Sequence, residues 1–387
     1  MRDVTAPSVC QELRMPTCQR HRTADRQLSN VLRFEPDPAG RSQWMWQPFR
    51  IAQIPGKGMG VIAARDICAG ERVMSEAPLA QWAVAPNATT AEKIESFARM
   101  QATLDPETIK AILGLSQDPM HGSEPTLLGT WMTNGLPISY DSGAAGRTKA
   151  AAVFNNVCRI NHSCGPNCHE EWNAALGMAT IHAIRDVPEG SELCISYLEN
   201  SGDERASRRR KLLDRFGFVC TCERCELTGD ALGMSEVRQR TLRTLLAATP
   251  GLKIEPFAER LRNLEVLLRI MEQEGLPLVW AWKSQLLLLL EASMHELTVA
   301  SDESSRDICR DRALGWATRA TESLQAAVGR DHPGCELVAT FVQMLQEQAR
   351  RDDAARSSIC ATGTTISTTT TERFFELAQQ YGQYADT

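Results

Sequence analysis

Residues 161–168 read NHSCGPNC, and residues 217–225 read GFVCTCERC. The second stretch contains three cysteines in a C-x-C-x-x-C spacing: Cys220, Cys222 and Cys225. The thirteen cysteines of the chain are not distributed like a secreted disulfide framework, so this crowding indicates metal binding. A structural zinc ion needs four ligands in a tetrahedron, and the best candidate for the fourth is Cys164 in the first stretch. The alternative is a cluster of reduced thiols without a metal.

Two more segments accompany these stretches in a fixed order. Residues 56–60, GKGMG, precede both, and residues 189–197, EGSELCISY, lie between them. Each segment has a simpler structural explanation. The glycines can form only a tight turn, since they do not match the GxGxxG dinucleotide pattern with its flanking strand and helix. Asn161 and His162 can close a hydrogen-bonded turn, and Tyr197, at the end of an apolar strand, can be a core residue.

Taken together, the four segments resemble the SET domain of protein methyltransferases, specifically the SET-and-MYND class, whose SET domain is split. The resemblance covers roughly residues 48–228. It implies an α+β fold: a SET-type β-clip domain of short strands with a helical insert, a post-SET zinc cluster, and an all-α C-terminal domain of TPR-like helical hairpins. The cysteines of a MYND zinc finger are missing, so partner recognition by such a finger is not expected.

The resemblance also implies individual site residues. The backbone around the glycine loop would cradle the methionine portion of S-adenosylmethionine, because glycine lets main chain approach a ligand closely: Lys57, Gly58, Met59 and Gly60. Asn161 and His162 would hydrogen-bond this cofactor, and Phe218 would lie against its adenine ring. Tyr197 would be the catalytic residue, lining the methyl-transfer channel and orienting the sulfonium and the amine. A structural zinc ion would be held by four thiolates: Cys164, Cys220, Cys222 and Cys225.

One position departs from the family pattern close to the expected channel. Phe216 stands where relatives often carry a second channel tyrosine. Its missing hydroxyl removes one hydrogen-bond donor near the acceptor amine. We therefore expect looser control over how many methyl groups are added.

The activity implied by the resemblance is that of an S-adenosylmethionine-dependent protein-lysine N-methyltransferase, acting on a lysine of a histone or other protein. One alternative is a catalytically silent SET scaffold whose C-terminal helices bind partners. The retained Tyr197, glycine loop and Asn-His pair argue against it. A second alternative is a zinc-stabilised DNA-binding factor. The net charge of −6 argues against it, and the basic run of residues 205–211 is expected to be a solvated helix face.

Patterning along the chain predicts five regions. Residues 1–47 are mostly disordered, and residues 48–200 form the SET domain, split by an insert at 86–150 with two predicted helices. A charged helix then leads into the zinc-binding segment, residues 201–228. Residues 229–358 form the helical C-terminal domain, with apolar spacing near 235–247, 256–274, 278–300, 306–328 and 335–356. Residues 359–387 are a Thr-rich linker and a short tail.

Composition limits the location and the partners of the protein. The sequence contains no apolar run of the roughly 20 residues that span a bilayer, and its first thirty residues lack an apolar signal core. We therefore expect a nuclear or cytoplasmic protein that binds neither membrane nor nucleic acid directly and is a monomer. The substrate protein, its lysine and the degree of methylation are not specified by these patterns.

Overall fold

The computed structural model describes residues 47–83, 87–141, 147–198, 202–248, 257–278 and 303–335, with a few positions between 338 and 350. The predicted N-terminal segment and the Thr-rich tail lie outside these residues. So do nearly all of the predicted helix near 278–300 and most of the one near 335–356. These parts of the domain scheme stay predictions.

The short strands expected at the start of the 48–200 region are present. Strands β1 (Phe49–Ile54) and β2 (Gly58–Ala63) form an antiparallel hairpin. Gly56 and Gly58 adopt φ angles of 72° and 78°, which glycine tolerates because it has no Cβ. Strands β3 (Arg72–Glu76) and β4 (Ala80–Ala83) follow.

The insert begins with the two predicted helices. Helix α1 (Thr90–Gln101) starts at a capping box in which Thr89 and Glu92 satisfy each other's backbone N–H groups. Helix α2 (Pro106–Leu113) is capped by the carboxylate of Asp105. A third helix, α3 (Leu127–Asn134), leads into strands β5 (Leu136–Asp141) and β6 (Arg147–Val153). The insert is therefore not helical throughout, because its second half forms a hairpin that pairs through β6 with β4.

The second half of the domain supplies four strands: β7 (Asn161–His162), β8 (Cys168–Asn173), β9 (Met178–Ala183) and β10 (Glu192–Ile195). The described strands form three sheets, ordered β1-β2-β10-β7, β3-β9-β8 and β4-β6-β5. Strands from before and after the insert thus share sheets, which closes the split domain. The predicted strand through Tyr197 ends earlier, at Ile195, and Tyr197 lies just beyond it.

A single apolar core joins these sheets. Val61, Ile181 and Leu193 are completely buried, one from each of β2, β9 and β10. Burial of such side chains contributes roughly 1.5–3 kcal/mol each before the entropy of ordering is subtracted. The core therefore fixes β2 and β10 beside each other, and with them the glycine loop and β7.

Helices follow the last strand. Helix α4 (Arg205–Phe216) ends at Gly217, whose φ of 72° makes a left-handed C-cap, and the short α5 (Glu223–Glu226) contains the last of the clustered cysteines. Helices α6 (Gly229–Ala248) and α7 (Phe257–Gln273) pack together, and α8 (Glu303–Val328) lies against β8 and β9. The predicted stack of helical hairpins stays a prediction. No helix within the described ranges has the length and apolar character needed to cross a membrane.

Candidate functional site

Strand β7 sits at the centre of the candidate site. It runs parallel to β10, pairing Asn161 with Cys194 and His162 with Ile195, and the N–H of Ser163 extends the ladder by donating to Ile195. The sequence alternative of a simple turn at Asn161 and His162 is therefore wrong. Both side chains are held by a sheet that also contains β2 and the glycine loop.

A carboxylate that sequence reasoning missed connects the loop to β7. Glu192, at the start of β10, accepts hydrogen bonds from Asn161 Nδ2 at 2.8 Å and from Lys57 Nζ at 2.6 Å. Asn161 Nδ2 also lies 3.4 Å from the carbonyl oxygen of Met59. Burial favours the neutral form of Lys57, but its hydrogen bond to Glu192 and the nearby negative charges together outweigh this and raise the pKa of the lysine. The sequence signal that could have identified Glu192 is an acidic residue at the first position of an otherwise apolar strand.

The close approach of β2 to Asn161 explains one glycine. A Cβ on Gly60 would lie 2.5 Å from Ile54 Cγ1 and 2.7 Å from Asn161 Nδ2, so a larger residue would push the strand away. At Gly56 and Gly58 a Cβ would meet nothing within 4 Å. The tip of the hairpin therefore faces open space next to the Asn161 amide.

His162 is buried and neutral. Burial, with lesser effects of neighbouring charges, lowers its pKa to about 4. Its Nδ1 accepts from the N–H of Tyr197 at 2.9 Å, which places the proton on Nε2, 3.3 Å from Cys164 Sγ. The ring thus ties β7 to both the tyrosine and the thiol cluster.

Tyr197 lies in a group of aromatic rings. Its ring centroid is 5.0 Å from that of Phe216, 5.3 Å from His162 and 6.4 Å from Phe218. The phenol donates to the carbonyl oxygen of Ile160 at 2.7 Å. Burial raises the pKa of Tyr197 well above its usual range, so the hydroxyl stays protonated and oriented. The core alternative for Tyr197 is partly right, because the residue packs both on the apolar core of the sheets and on the cluster around Leu212 and the cysteines.

The four predicted thiols come together. The sulfur atoms of Cys164, Cys220, Cys222 and Cys225 all lie within 4.8 Å of one another. Cys164 Sγ is 3.6 Å from that of Cys225 and 3.9 Å from that of Cys220. A disulfide would need about 2.05 Å, whereas zinc at about 2.3 Å from each of four sulfurs gives a tetrahedron with edges of about 3.8 Å. The arrangement is compatible with one metal ion and not with disulfides.

The thiols influence one another's protonation. A hydrogen bond from Cys164 is the largest effect on both Cys222 and Cys225; it lowers the pKa of Cys222 far below that of a free thiol and that of Cys225 to about 6. The hydrogen bond to Cys220 raises the pKa of Cys164 in turn. Metal binding needs thiolates, and a bound cation would favour that form at all four sulfurs.

Two arginines of α4 contact this cluster. Arg208 is buried, with Nη2 3.9 Å from Cys225 Sγ, and Arg209 donates to the carbonyl oxygens of Cys220 at 2.9 Å and of Cys225 at 3.0 Å. The expectation that residues 205–211 form a solvated face is therefore wrong for these two side chains. Arg208 and Leu212, one turn apart, form the buried side of α4, and this spacing was the available signal.

The site residues predicted from sequence thus fall into two adjoining groups. The first lines the β2–β7–β10 sheet edge with Lys57, Gly58, Met59, Gly60, Asn161 and His162. The second holds Tyr197, Phe218 and the four cysteines, and His162 contacts both groups. Phe218 has its ring centroid 6.1 Å from that of His162.

Comparison with known proteins agrees with this geometry. The family described as the SET domain matches residues 58–198. Those residues are a SET domain. They include Gly58, Met59 and Gly60 of the glycine loop, together with β7 and Tyr197, and they end before α4 and the C-x-C-x-x-C stretch that follows it.

Curated relatives bear related names. The histone-lysine N-methyltransferase set5 of Schizosaccharomyces pombe is 29% identical over 195 residues, which is 50% of this chain and 56% of the relative. The human histone-lysine N-methyltransferase SMYD3 is 34% identical over 95 residues, 22% of each chain. The human protein-lysine N-trimethyltransferase SMYD5 is 36% identical over 80 residues, 20% of this chain and 19% of the relative. The chain spans little more than half of the first relative and about a fifth of the other two.

Proposed function

We propose that the protein is an S-adenosylmethionine-dependent protein-lysine N-methyltransferase. The observation that carries the proposal is the placement of Tyr197. Its hydroxyl is fixed by Ile160 in a wall of aromatic rings, directly beside the β7 residues that the family uses for its cofactor. The names of the curated relatives support the same reaction class.

Different residues of the chain would bind different parts of the cofactor. The hairpin tip at Lys57, Gly58, Met59 and Gly60 would receive the methionine portion of the cofactor, and Phe218 its adenine ring. Asn161 would contribute its Oδ1 and backbone, because its Nδ2 already donates to Glu192. S-adenosylmethionine, when bound, supplies a methyl group on a positively charged sulfur. The leaving group of the transfer is a neutral thioether.

The aromatic group would prepare the acceptor. A lysine amine has a pKa near ~10.4 in water and must be neutral to attack. Lying against the rings of Tyr197 and Phe216 would remove the amine from water, which disfavours the ammonium form. The Tyr197 oxygen, held by its bond to Ile160, would then orient the methyl group and the amine in line, and such alignment supplies most of the acceleration in transfers of this kind.

The thiol cluster would hold a structural zinc ion. Four cysteine ligands leave no open position for water, so the metal would have no direct part in the reaction. Its role would be to fix the segment that carries Phe218, since Cys220 follows that residue by two positions. Cys164 ties the same cluster to β7 through His162.

The test uses the full chain with isotopically labelled S-adenosylmethionine, core histones and a lysine-containing peptide library. Mass spectrometry then locates the transferred methyl groups. We expect methyl-lysine with the natural chain and its near loss with Tyr197→Phe; the same substitution at Tyr140, on the separate β4-β6-β5 sheet, is the matched control. A chain that binds cofactor but transfers nothing to any substrate would instead be a silent scaffold.

The substrate class and location belong to the same proposal. The acceptor is a protein carrying a lysine, histone or otherwise, and chromatin is a natural setting for it. Monomeric state, nuclear or cytoplasmic location and the absence of direct nucleic-acid binding stay predictions from the sequence.

A further inference from the structure

Glu274 is a deeply buried carboxylate far along the chain from the SET domain. It follows the last residue of α7, and its side chain is only 2% exposed. A carboxylate in such a position is costly unless every oxygen is paired. Its four donors are Arg224 Nη2 at 2.8 Å, Ser235 Oγ at 2.7 Å, Arg238 Nε at 2.5 Å and Gln239 Nε2 at 2.9 Å.

Three of these donors come from α6, at positions i, i+3 and i+4 on one helix face, so they join the two C-terminal helices. The fourth donor is different. Arg224 lies between Cys222 and Cys225 in the thiol cluster, on α5. Its other terminal nitrogen, Nη1, donates to the carbonyl oxygen of Cys164 at 2.6 Å.

Arg224 therefore spans from Glu274 to the backbone of the cysteine that completes the cluster. Its side chain is 11% exposed, and its Cδ would lie 3.1 Å from a Cβ on Gly165, so it fits closely against the Cys164 turn. Burial opposes ionisation of Glu274, but the hydrogen bonds from Ser235 and the two arginines outweigh this and lower the pKa of the carboxyl. The carboxylate is thus a fixed negative charge that holds the guanidinium in place.

We propose that Glu274 is a positioning residue for the thiol cluster, acting through Arg224, and that the C-terminal helices are thereby part of the metal site. The inference rests on the zinc binding proposed above. It adds that retention of the metal depends on a residue some fifty positions beyond Cys225, the last cysteine of the cluster, and outside the SET domain match. Outer partners that orient metal ligands typically change metal affinity by about 10- to 100-fold when removed.

The experiment measures zinc release from the full-length, zinc-loaded protein to a chromogenic chelator at a temperature below unfolding. We expect Glu274→Gln to release zinc roughly tenfold faster. Glu272→Gln is the matched control: it removes the same charge two residues earlier, from an ion pair with Arg319. Arg238→Gln should have little effect on the rate of zinc release. It removes a contact between α6 and Glu274 but leaves the Arg224 contact with the Cys164 turn intact.

A double-mutant comparison separates positioning from general stability. Arg224→Gln should accelerate release as much as Glu274→Gln, and the double variant no more than either one. Additive effects, or equal effects of Arg238→Gln and Glu274→Gln, would overturn the proposal. If Glu274→Gln does not fold, Glu274→Asp keeps the charge but draws the carboxylate back from Arg224, and a release rate equal to the natural chain's would overturn the proposal as well.

Zinc release is independent of methyl transfer, so the two proposals can fail separately. A chain that retains zinc through Glu274 but methylates nothing would leave this inference intact. A carefully purified chain that contains no zinc would remove it, whatever the activity.

Discussion

Glu192→Gln is the substitution whose effect on cofactor binding follows most directly from the structure. The carboxylate accepts from Asn161 at 2.8 Å and from Lys57 at 2.6 Å, one oxygen for each donor. Glutamine has the same shape but only one acceptor oxygen. Whichever way its amide turns, an N–H₂ group faces a donor, so one contact is lost and becomes repulsive.

The exposed fractions of the two side chains set limits on the free energy lost in Glu192→Gln. Hydrogen bonds to charged groups contribute about 1.5–3 kcal/mol when buried, and exposed ion pairs about 0–1 kcal/mol. The side chains of Lys57 and Glu192 are 34% and 19% exposed, so the Lys57 contact falls near the lower limit and the Asn161 contact above it. A net loss of about 1.4 kcal/mol in the ordered glycine loop corresponds to about tenfold weaker binding of S-adenosylhomocysteine.

Calorimetric titration with S-adenosylhomocysteine measures this change. Glu189→Gln is the control, because it removes an equal charge three residues earlier at an exposed turn position. In a Lys57→Met background, Glu192→Gln should cost less, since one of its two donors is already gone. An unchanged dissociation constant for Glu192→Gln would refute the assignment of the loop and Asn161 to the cofactor.

Three further outcomes are expected. Tyr197→Phe should lower turnover by about 100-fold or more while leaving S-adenosylhomocysteine affinity within a few-fold, because the hydroxyl is proposed to act on the transfer and not on cofactor binding; equal losses in both would make the residue structural. Phe216→Tyr should change the methylation state of the product, which mass spectrometry reads directly, and an unchanged state would contradict the role given to the missing hydroxyl. The stability that Glu274 provides should be present at neutral pH and lost as the pH falls through its lowered folded-state pKa, since an ionised native carboxylate favours folding only above that value. Urea unfolding of the natural chain and Glu274→Gln should therefore differ at neutral pH and converge in acid, and a constant difference would argue against the charged pairing.

The sequence was most informative where residues act through local spacing. The cysteine spacing predicted a cluster, and Cys164 was predicted as its fourth member from the tetrahedral requirement; the structure brings all four sulfurs together. Two helices were also predicted in the insert, and α1 and α2 lie there; their caps, found in the structure, are local features of the sequence.

The parts that were missed depend on contacts between distant segments. Glu192 lies 135 positions from Lys57 along the chain, and no local pattern indicates that β2 and β10 are neighbours in one sheet. Arg208 was predicted to belong to a solvated helix face because charged residues are usually exposed, and no role was predicted for Arg224. Their burial follows from packing against the cluster and Glu274, which are brought close only by the tertiary fold. The hairpin of β5 and β6 was likewise hidden, since its stability comes from pairing with β4 across the insert.

Titration of S-adenosylhomocysteine into the zinc-loaded chain is the most direct test of the account, because it requires no knowledge of the substrate protein. The account predicts saturable binding at one site per chain, weakened by Phe218→Ala through loss of the contact with the adenine ring. Folded, zinc-containing protein that gives no binding heat at any temperature tested would contradict it.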